Sequence, residues 1–485
     1  MKALKDILHG IPVHHVVGNL NVAIAGVCFD SRNATPDSLF VAVVGTQVDG
    51  HHYVDQAITF GASVVLCEKM PEATKDDVTY IQVEDTAFAL GVSASNYFDN
   101  PSTKLKLVGV TGTNGKTTIA TLLYKLFRQL GYEAGLISTV QNQVGNRIVA
   151  ATHTTPDPMA LNALLQDMVD SGCDYCFMEV SSHAIVQQRI AGLNFAGGIF
   201  SNITHDHLDF HKTFDAYIQA KKRFFDDLDR FAFALSNADD KNGAVMLQNT
   251  FAHKRTYGLK GMADFKAKVM ESHFDGMLLQ LDGNEVWVKL VGGFNAYNIT
   301  AVYAAAILLE QETMKVLTAL SNISGAEGRF ETVISVDGII GIVDYAHTPD
   351  AVRNVLETVR DLRKGSQQII TVLGCGGDRD RAKRPKMAAV AVDHSDKVII
   401  TSDNPRSEDP LAIIKDMEVG VPQEKKRNTF SIADRREAIR AACHLAQPGD
   451  IVLVAGKGHE KYQEMNGQRH AFDDREILIK TLDER

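Results

Sequence analysis

The stretch "LKLVGVTGTNGKTTIATLLYKLFRQLG", residues 105–131, decides the fold. Its start is an apolar run of strand type. From Lys116 onward apolar residues return at helical spacing, and Gly131 closes the helix. Between them lies "GVTGTNGKTT", residues 109–118. A Gly-rich turn that follows a strand and opens a helix is the context of a phosphate-binding P-loop. The backbone N–H groups from Gly112 through Thr113 and Asn114 to Gly115 are expected to wrap phosphate oxygens, with Lys116 reaching the β and γ oxygens. Thr117, followed by Thr118, is expected to bind Mg²⁺. A Cβ at the glycines would block close approach. The strict pattern has a glycine five positions before Gly115, where this chain has Val110, so the loop is a variant, Gly-x-x-Gly-Lys-Thr. The competing reading is a Gly-rich turn that holds nothing. The loop points to ATP or GTP but not to the destination of the phosphate.

Strand and helix alternate on both sides of this loop. "YCFMEV" (175–180), "GGIFSNI" (197–203) and "FAFALSNAD" (231–239) read as buried strands. Such alternation predicts a parallel sheet covered by helices on both faces. Upstream, "GVCFD", "SLFVAVVG", "SVVLCE" and "TYIQVED" are shorter strand candidates. Downstream of a break near "SNISGAEGRFE" (321–331), "GIIGIVDYA", "QIITVLGCGG", "KVIITSDN" and "DIVLVAGKG" form a second α/β series. The expected fold is α/β in three domains: a smaller one over 1–100, a central P-loop domain over 101–330, and a Rossmann-like domain over 331–485.

Apolar residues make up 45% of the 485 and charged residues 23%, as in ordinary globular proteins. A net charge of −10 opposes non-specific nucleic-acid binding, which needs a basic face. The six scattered cysteines form no disulfide framework, and Cys173-x-x-Cys176 reads as part of a buried element. No apolar stretch approaches the ~20 residues of a membrane span, and the start "MKALKDILHGIP" carries charges inside its apolar part. A reducing cytoplasm is the expected location, without membrane insertion.

Several polar clusters follow predicted strands, where ligands bind in open α/β sheets. "FMEVSSHA" carries Glu179, Ser181, Ser182 and His183. "SNITHDHLDFH" carries His205, Asp206, His207, Asp209 and His211. Glu179 and one histidine are candidates to hold Mg²⁺; His205 and His211 read as surface or core residues. In "TFDAYIQAKKRFFDDL" the stripe of Phe214, Tyr217, Ile218, Phe224 and Phe225 centres near Lys221, with Lys222 to one side. A lysine there is costly unless paired or modified, and on its residues alone the helix predicts that its amine snorkels to solvent. "TSDNPRSEDP" (401–410) sets an acid, an amide, a rigid corner and a guanidinium at a strand end.

Together these stretches resemble the Mur ligases, the ATP-dependent amide-forming ligases of peptidoglycan synthesis. The resemblance spans nearly the whole chain: "GVTGTNGKTT", "TTPDP", "MEVSSHAIVQQR", "NITHDHLDFH", "YIQAKKRFF", "GGFNAYNITA", "GRFE", "VDYAHTPD", "GCGGDRDRAKRP", "DNPR" and "AGKGHE". It is greatest to the members that add meso-diaminopimelate. It implies a three-domain ligase in which the first domain grips the UDP end of UDP-N-acetylmuramoyl-L-Ala-D-Glu, the central domain uses ATP, and the last brings the amino acid. It also implies a carbamylated Lys221 that binds Mg²⁺ with Glu179 and His207. Ser31, Thr46, Gln47 and Val48 match uridine-nucleotide contacts. Thr46 and Val48 depart from the side chains relatives often carry, which implies contact through the backbone. Thr154, Thr155, Ser181, Gln187 and Arg189 match residues that hold the muramoyl dipeptide. Asn295 or Asn298, Arg329 and Asp344 match nucleotide contacts. Arg379, Asp403, Asn404, Pro405, Arg406, Gly456 and Glu460 match the diaminopimelate pocket. In that pocket Arg406, assisted by Arg379, is the expected partner of the far carboxylate, and Asp403 or Glu460 that of the far ammonium. A monomer is expected. The alternatives are a Mur ligase that adds L-lysine, a folylpolyglutamate synthetase-like ligase, a P-loop kinase and a nucleotide-dependent switch.

Overall fold

A computed structural model describes the chain except Thr46, Gln47, Thr152, His205 and His207 and the side chains of Leu208 and Asp209. Three sheets organise it. The strands 13–17, 79–83, 62–67, 38–41 and 26–28 form a five-stranded sheet in that spatial order, parallel except at 13–17. The strand Lys106–Thr111 lies inside an eleven-stranded sheet, flanked in parallel by Tyr175–Glu179 and Gly197–Phe200. A six-stranded sheet holds Ile340–Asp344, Ile451–Ala455, Ile369–Cys375 and Lys397–Ser402, mutually parallel and in that order.

The parallel strands foreseen in the sequence are present. The central sheet is larger than foreseen and mixed. Antiparallel strands Asn142–Val144 and Arg147–Val149 extend one side, and Gly276–Leu281 and Asn284–Val288 extend the other. Tight turns at "VGNR" and "DGN" make these hairpins; Asn142–Val144 and Arg147–Val149 are three residues each and Asn284–Val288 alternates buried with exposed positions, so none of these three reads as a buried run.

The helix Lys116–Gln129 packs Ile119, Leu122, Leu123, Leu126 and Phe127 into a core shared with Val108, Phe177 and Ile199. All five of these helix side chains are fully buried, and apolar burial stabilises by about 25 cal/mol per Å². That packing fixes the start of the helix, and with it the loop ahead, at the carboxyl ends of the parallel strands. The six cysteines are free and buried. Among the described residues no helix is long and apolar enough to cross a membrane.

Candidate active site

Gly112 and Gly115 both take positive φ, +150° and +87°. A Cβ on Gly112 would collide with Ser201 Oγ, and one on Gly115 would lie 2.5 Å from Asn298 Oδ1. Not every N–H of the loop faces outward, contrary to the sequence expectation. Thr113 N donates to Asn202 O (2.7 Å) and Asn114 N to Asn202 Oδ1 (3.0 Å). Asn202 therefore braces the loop. The donors without intrahelical partners are those of the first helical turn, at Lys116, Thr117 and Thr118.

Two lysines converge behind the loop. Lys116 Nζ donates to Gly112 O (3.0 Å) and Thr113 O (2.9 Å). Lys221 Nζ donates to the same Gly112 O at 2.8 Å and stands 4.7 Å over the Tyr217 ring. The snorkelling expected for Lys221 does not occur, because the helix Phe214–Asp226 turns it inward and leaves it 1% exposed. Burial, then the neighbouring Lys116 charge, hold its amine well below the ordinary lysine range, against the pull of Asp206. Lys116 is lowered by burial, and Glu179 and Asp206 oppose the shift. Lys222 is buried as well, but is matched by Asp226 at 2.6 Å.

Glu179 ends its strand fully buried, and its Oε1 accepts from Thr139 N at 2.8 Å. Thr154 accepts from Thr139 Oγ1 (3.0 Å). Thr155 Oγ1 donates to Glu179 O and receives Ser181 N. Arg189 donates to Thr155 O and to Gln187 Oε1. Thr154, Thr155, Ser181, Gln187 and Arg189 thus form one network around Glu179. Arg329 Nη2 reaches Thr117 Oγ1 at 3.3 Å and its guanidinium stacks 4.6 Å over Tyr345. Asn298 Nδ2 donates to Asn295 Oδ1, and Asn295 Nδ2 to Val291 O, so Asn298 is the member beside the loop. Asp344 Oδ2 accepts from Phe330 N, and burial pushes its carboxyl up to about 6.

Ser31 is apart from these groups, donating to Gln56 Oε1 beside the five-stranded sheet, where Val48 is exposed. Thr46, Gln47 and His207 lie outside the described residues, as do His205 and the side chain of Asp209. His211 is a core residue whose Nε2 meets Ser182 Oγ at 2.9 Å.

A second cluster occupies the carboxyl ends of the six-stranded sheet. Asp403, Asn404 and Pro405 are buried. Asn404 Nδ2 donates to Glu460 Oε2 (2.7 Å), and its Oδ1 accepts from Lys457 Nζ (2.9 Å) and Glu464 N. Lys457 also pairs with Glu460 at 3.2 Å. Gly456 leaves room for Asp403, whose Oδ2 would lie 2.7 Å from a Cβ there. Arg406 Nη1 donates to Gly377 O (2.7 Å), while Arg379 is exposed. The two clusters touch: Tyr345 N donates to Gly328 O, its ring lies 4.9 Å from His459, and Lys383 pairs with Asp206 at 2.5 Å.

Comparison with known proteins gives three family-model matches. The Mur ligase family catalytic domain matches residues 23–98, the Mur ligase middle domain 110–306, and the Mur ligase glutamate ligase domain 328–458. The chain is 56% identical to the UDP-N-acetylmuramoyl-L-alanyl-D-glutamate–2,6-diaminopimelate ligase of Cytophaga hutchinsonii over 99% of both chains. It is 55% identical to the ligase of the same name from Phocaeicola vulgatus over 98% of both. A solved structure of a ligase of that name superposes with a TM-score of 0.71, at 32% identity and 99% coverage of both chains. This chain belongs to the Mur ligase family.

Sequence reasoning about this Mur ligase passed over three groups. Lys457 sits inside "AGKGHE", where the sequence singles out only Gly456 and Glu460, and it is fully buried. Asn202 lies one strand away from the loop it braces, so spacing alone does not join them. The pairing of Lys383 with Asp206 joins positions 177 residues apart. Only the presence of each inside a polar stretch after a strand pointed toward them.

Proposed function

We propose that this Mur ligase joins 2,6-diaminopimelate to UDP-N-acetylmuramoyl-L-alanyl-D-glutamate at the D-glutamate γ-carboxylate, consuming ATP, in peptidoglycan biosynthesis. The observation that carries the reading is end-to-end identity to ligases named for that reaction. Residues 1–100 are read as the unit for the UDP end, 101–330 as the ATP unit and 331–485 as the amino-acid unit, with three separate sheets in support.

A carboxylate is a poor electrophile, and phosphorylation supplies its leaving group. A γ-carboxylate oxygen attacks the ATP γ-phosphorus, the bond to ADP breaks, and an acyl phosphate forms. The diaminopimelate amine then attacks the acyl carbon, the amide forms, phosphate leaves and the amine loses a proton. The protein contributes position and charge. Lys116 and the first-turn N–H groups hold phosphoryl oxygens, Arg329 beside Thr117 offsets charge that develops there, and Asn298 lines the loop. Thr155, Ser181 and Arg189 orient the dipeptide.

The donor set suits Mg²⁺ only if Lys221 changes chemistry. A hard cation wants oxygen ligands, and Thr117 and Glu179 supply them, while an ammonium does not. The depressed amine of Lys221 favours the neutral form that adds CO₂, giving a carbamate and releasing a proton. Its charge then turns from positive to negative beside Lys116. Thr117, Glu179, His207 and carbamylated Lys221 would hold Mg²⁺, which supplies charge neutralisation on the phosphates.

The test measures phosphate release with ATP and the UDP-linked dipeptide across a panel of amino acids. Release that needs both the dipeptide and diaminopimelate is expected. Preference for L-lysine, or a stable phosphorylated product without amide, overturns the assignment.

A further inference from the structure

We propose that Arg384 is a positioning residue for the incoming amino acid, holding through Glu408 the loop that carries Arg406. This rests on reading the last domain as the diaminopimelate unit. Arg384 lies in the first turn of the helix Lys383–His394, with its side chain 2% exposed. Its Nη2 donates to Glu408 Oε1 at 2.7 Å and its Nη1 to Glu408 Oε2 at 3.0 Å, a two-pronged pairing that fixes orientation as well as distance. Nη1 also reaches Asp416 Oδ2 at 2.8 Å.

Glu408 in turn ties together two loops. Its Oε1 accepts from Asp378 N (2.6 Å) and its Oε2 from Arg381 Nη2 (3.0 Å). The loops are joined again by Ser407 Oγ to Asp378 Oδ1 (2.6 Å), by Gly377 N to Asn404 O (2.9 Å) and by Arg406 Nη1 to Gly377 O. Arg406 itself takes φ +52°, a left-handed conformation that side-chain-bearing residues adopt only where their surroundings impose it. Its N–H donates to Glu464 O and its C=O accepts from Asn466 N, so the backbone is held from the far side too.

A buried ion pair is a weak device for stability, since taking two charges from water offsets most of their attraction. It is a strong device for geometry, because a planar guanidinium meets a carboxylate in one orientation. Arg384 has no hydrogen bond to Arg406 and acts through Glu408 and Asp378. Truncation of Arg384 should therefore loosen Arg406 without removing it.

Two variants test this, both sparing of the fold: Glu408→Gln, at a partly accessible position, and Arg384→Lys, which keeps the charge and loses the fork. Each is compared with wild type for the KM of diaminopimelate, ATP and the UDP-linked dipeptide, and for the ratio of diaminopimelate to L-lysine use. The KM for diaminopimelate is expected to rise about ten-fold and the ratio to fall by a similar factor, less than the roughly hundred-fold that a full ångström of misplacement can cost, with the other two KM values within about two-fold. Similar rises in all three KM values, no change in either variant, or loss of folding by circular dichroism assigns the pair to scaffold alone and overturns the proposal. Failure of wild type to use diaminopimelate instead overturns the underlying reading.

Discussion

The two clusters of polar groups handle charge in opposite ways. At the phosphate loop, Lys116 and Lys221 both donate to Gly112 O, and Arg329 adds a third cation nearby. At the end of the last sheet each buried cation has its own acid: Arg435 with Asp474, Lys457 with Glu460, Arg384 with Glu408. The first arrangement gathers three basic groups around two acids, Glu179 and Asp206, without one-to-one pairing, and so stays unbalanced and suits negative groups arriving from outside. The second pairs its buried cations one by one and leaves only partly buried groups such as Arg406 unmatched, and suits a zwitterion chosen by shape and by where a few donors point. One region supplies charge, and the other supplies geometry.

The largest effect expected comes from unbalancing the balanced region. Arg435 and Asp474 are both fully buried and meet at 2.7 and 2.8 Å. Asp474→Ala leaves an uncompensated guanidinium inside the protein and is expected to cost about 4 kcal/mol of stability, read from the midpoint of urea unfolding. A loss under about 1 kcal/mol would mean that Asp403, which also acts on Arg435, suffices as counter-charge. Next comes the unbalanced region. Lys221→Ala is expected to lower kcat on the order of 10²–10³-fold, roughly 3–4 kcal/mol, with partial recovery on adding formate or acetate. Full activity in the unsupplemented variant would show that the lysine has no part in the reaction.

How far each region could be read from sequence follows the same division. The loop is local: strand, turn, Gly-Lys-Thr and helix lie within one stretch of chain, so its position at the sheet edge was legible. The inward turn of Lys221 was not legible from its helix, because that depends on a carbonyl 109 residues away. The cluster at the end of the six-stranded sheet is assembled from segments near 345, 376–384, 403–408, 435 and 456–464. "DNPR" marked one of them, but the pairing of Glu460 with Lys457 changes what that carboxylate offers a ligand. The antiparallel hairpins that widen the central sheet escaped notice because two of their strands are only three residues long and Asn284–Val288 is exposed at alternate positions.

Asp344 lies at the seam between the regions, and its titration separates them by pH. Burial raises its carboxyl to about 6 from 3.8, with Arg329 pulling the other way. Between those values the folded chain keeps a proton that the unfolded chain has lost, so this group's contribution falls as pH rises through that window. It is fully present below about 3.8. The span corresponds to roughly 3 kcal/mol. Asp344→Asn, which keeps an acceptor for Phe330 N, is expected to flatten that part of the stability–pH curve. An unchanged slope between pH 4 and 6 would mean that Arg329 holds the carboxylate ionised.

The smallest of these effects bears most directly on selection. Arg406 donates through Nη1 to Gly377 O, and among the described residues no carboxylate pairs with it. Diaminopimelate carries an amino-acid group at each end, and its far carboxylate suits the planar guanidinium. L-Lysine has the far ammonium alone and would leave the guanidinium unmatched, so a site built around Arg406 rejects it. Arg406→Ala is expected to lower the preference for diaminopimelate over L-lysine about 50-fold, roughly 2.3 kcal/mol, with KM for ATP nearly unchanged. Competition between the two amino acids at equal concentration, followed by mass analysis of the product, reads the ratio directly. If the ratio stays at its wild-type value, selection rests on the Asn404–Lys457–Glu460 network, and geometry rather than an unmatched charge governs even this corner of the site.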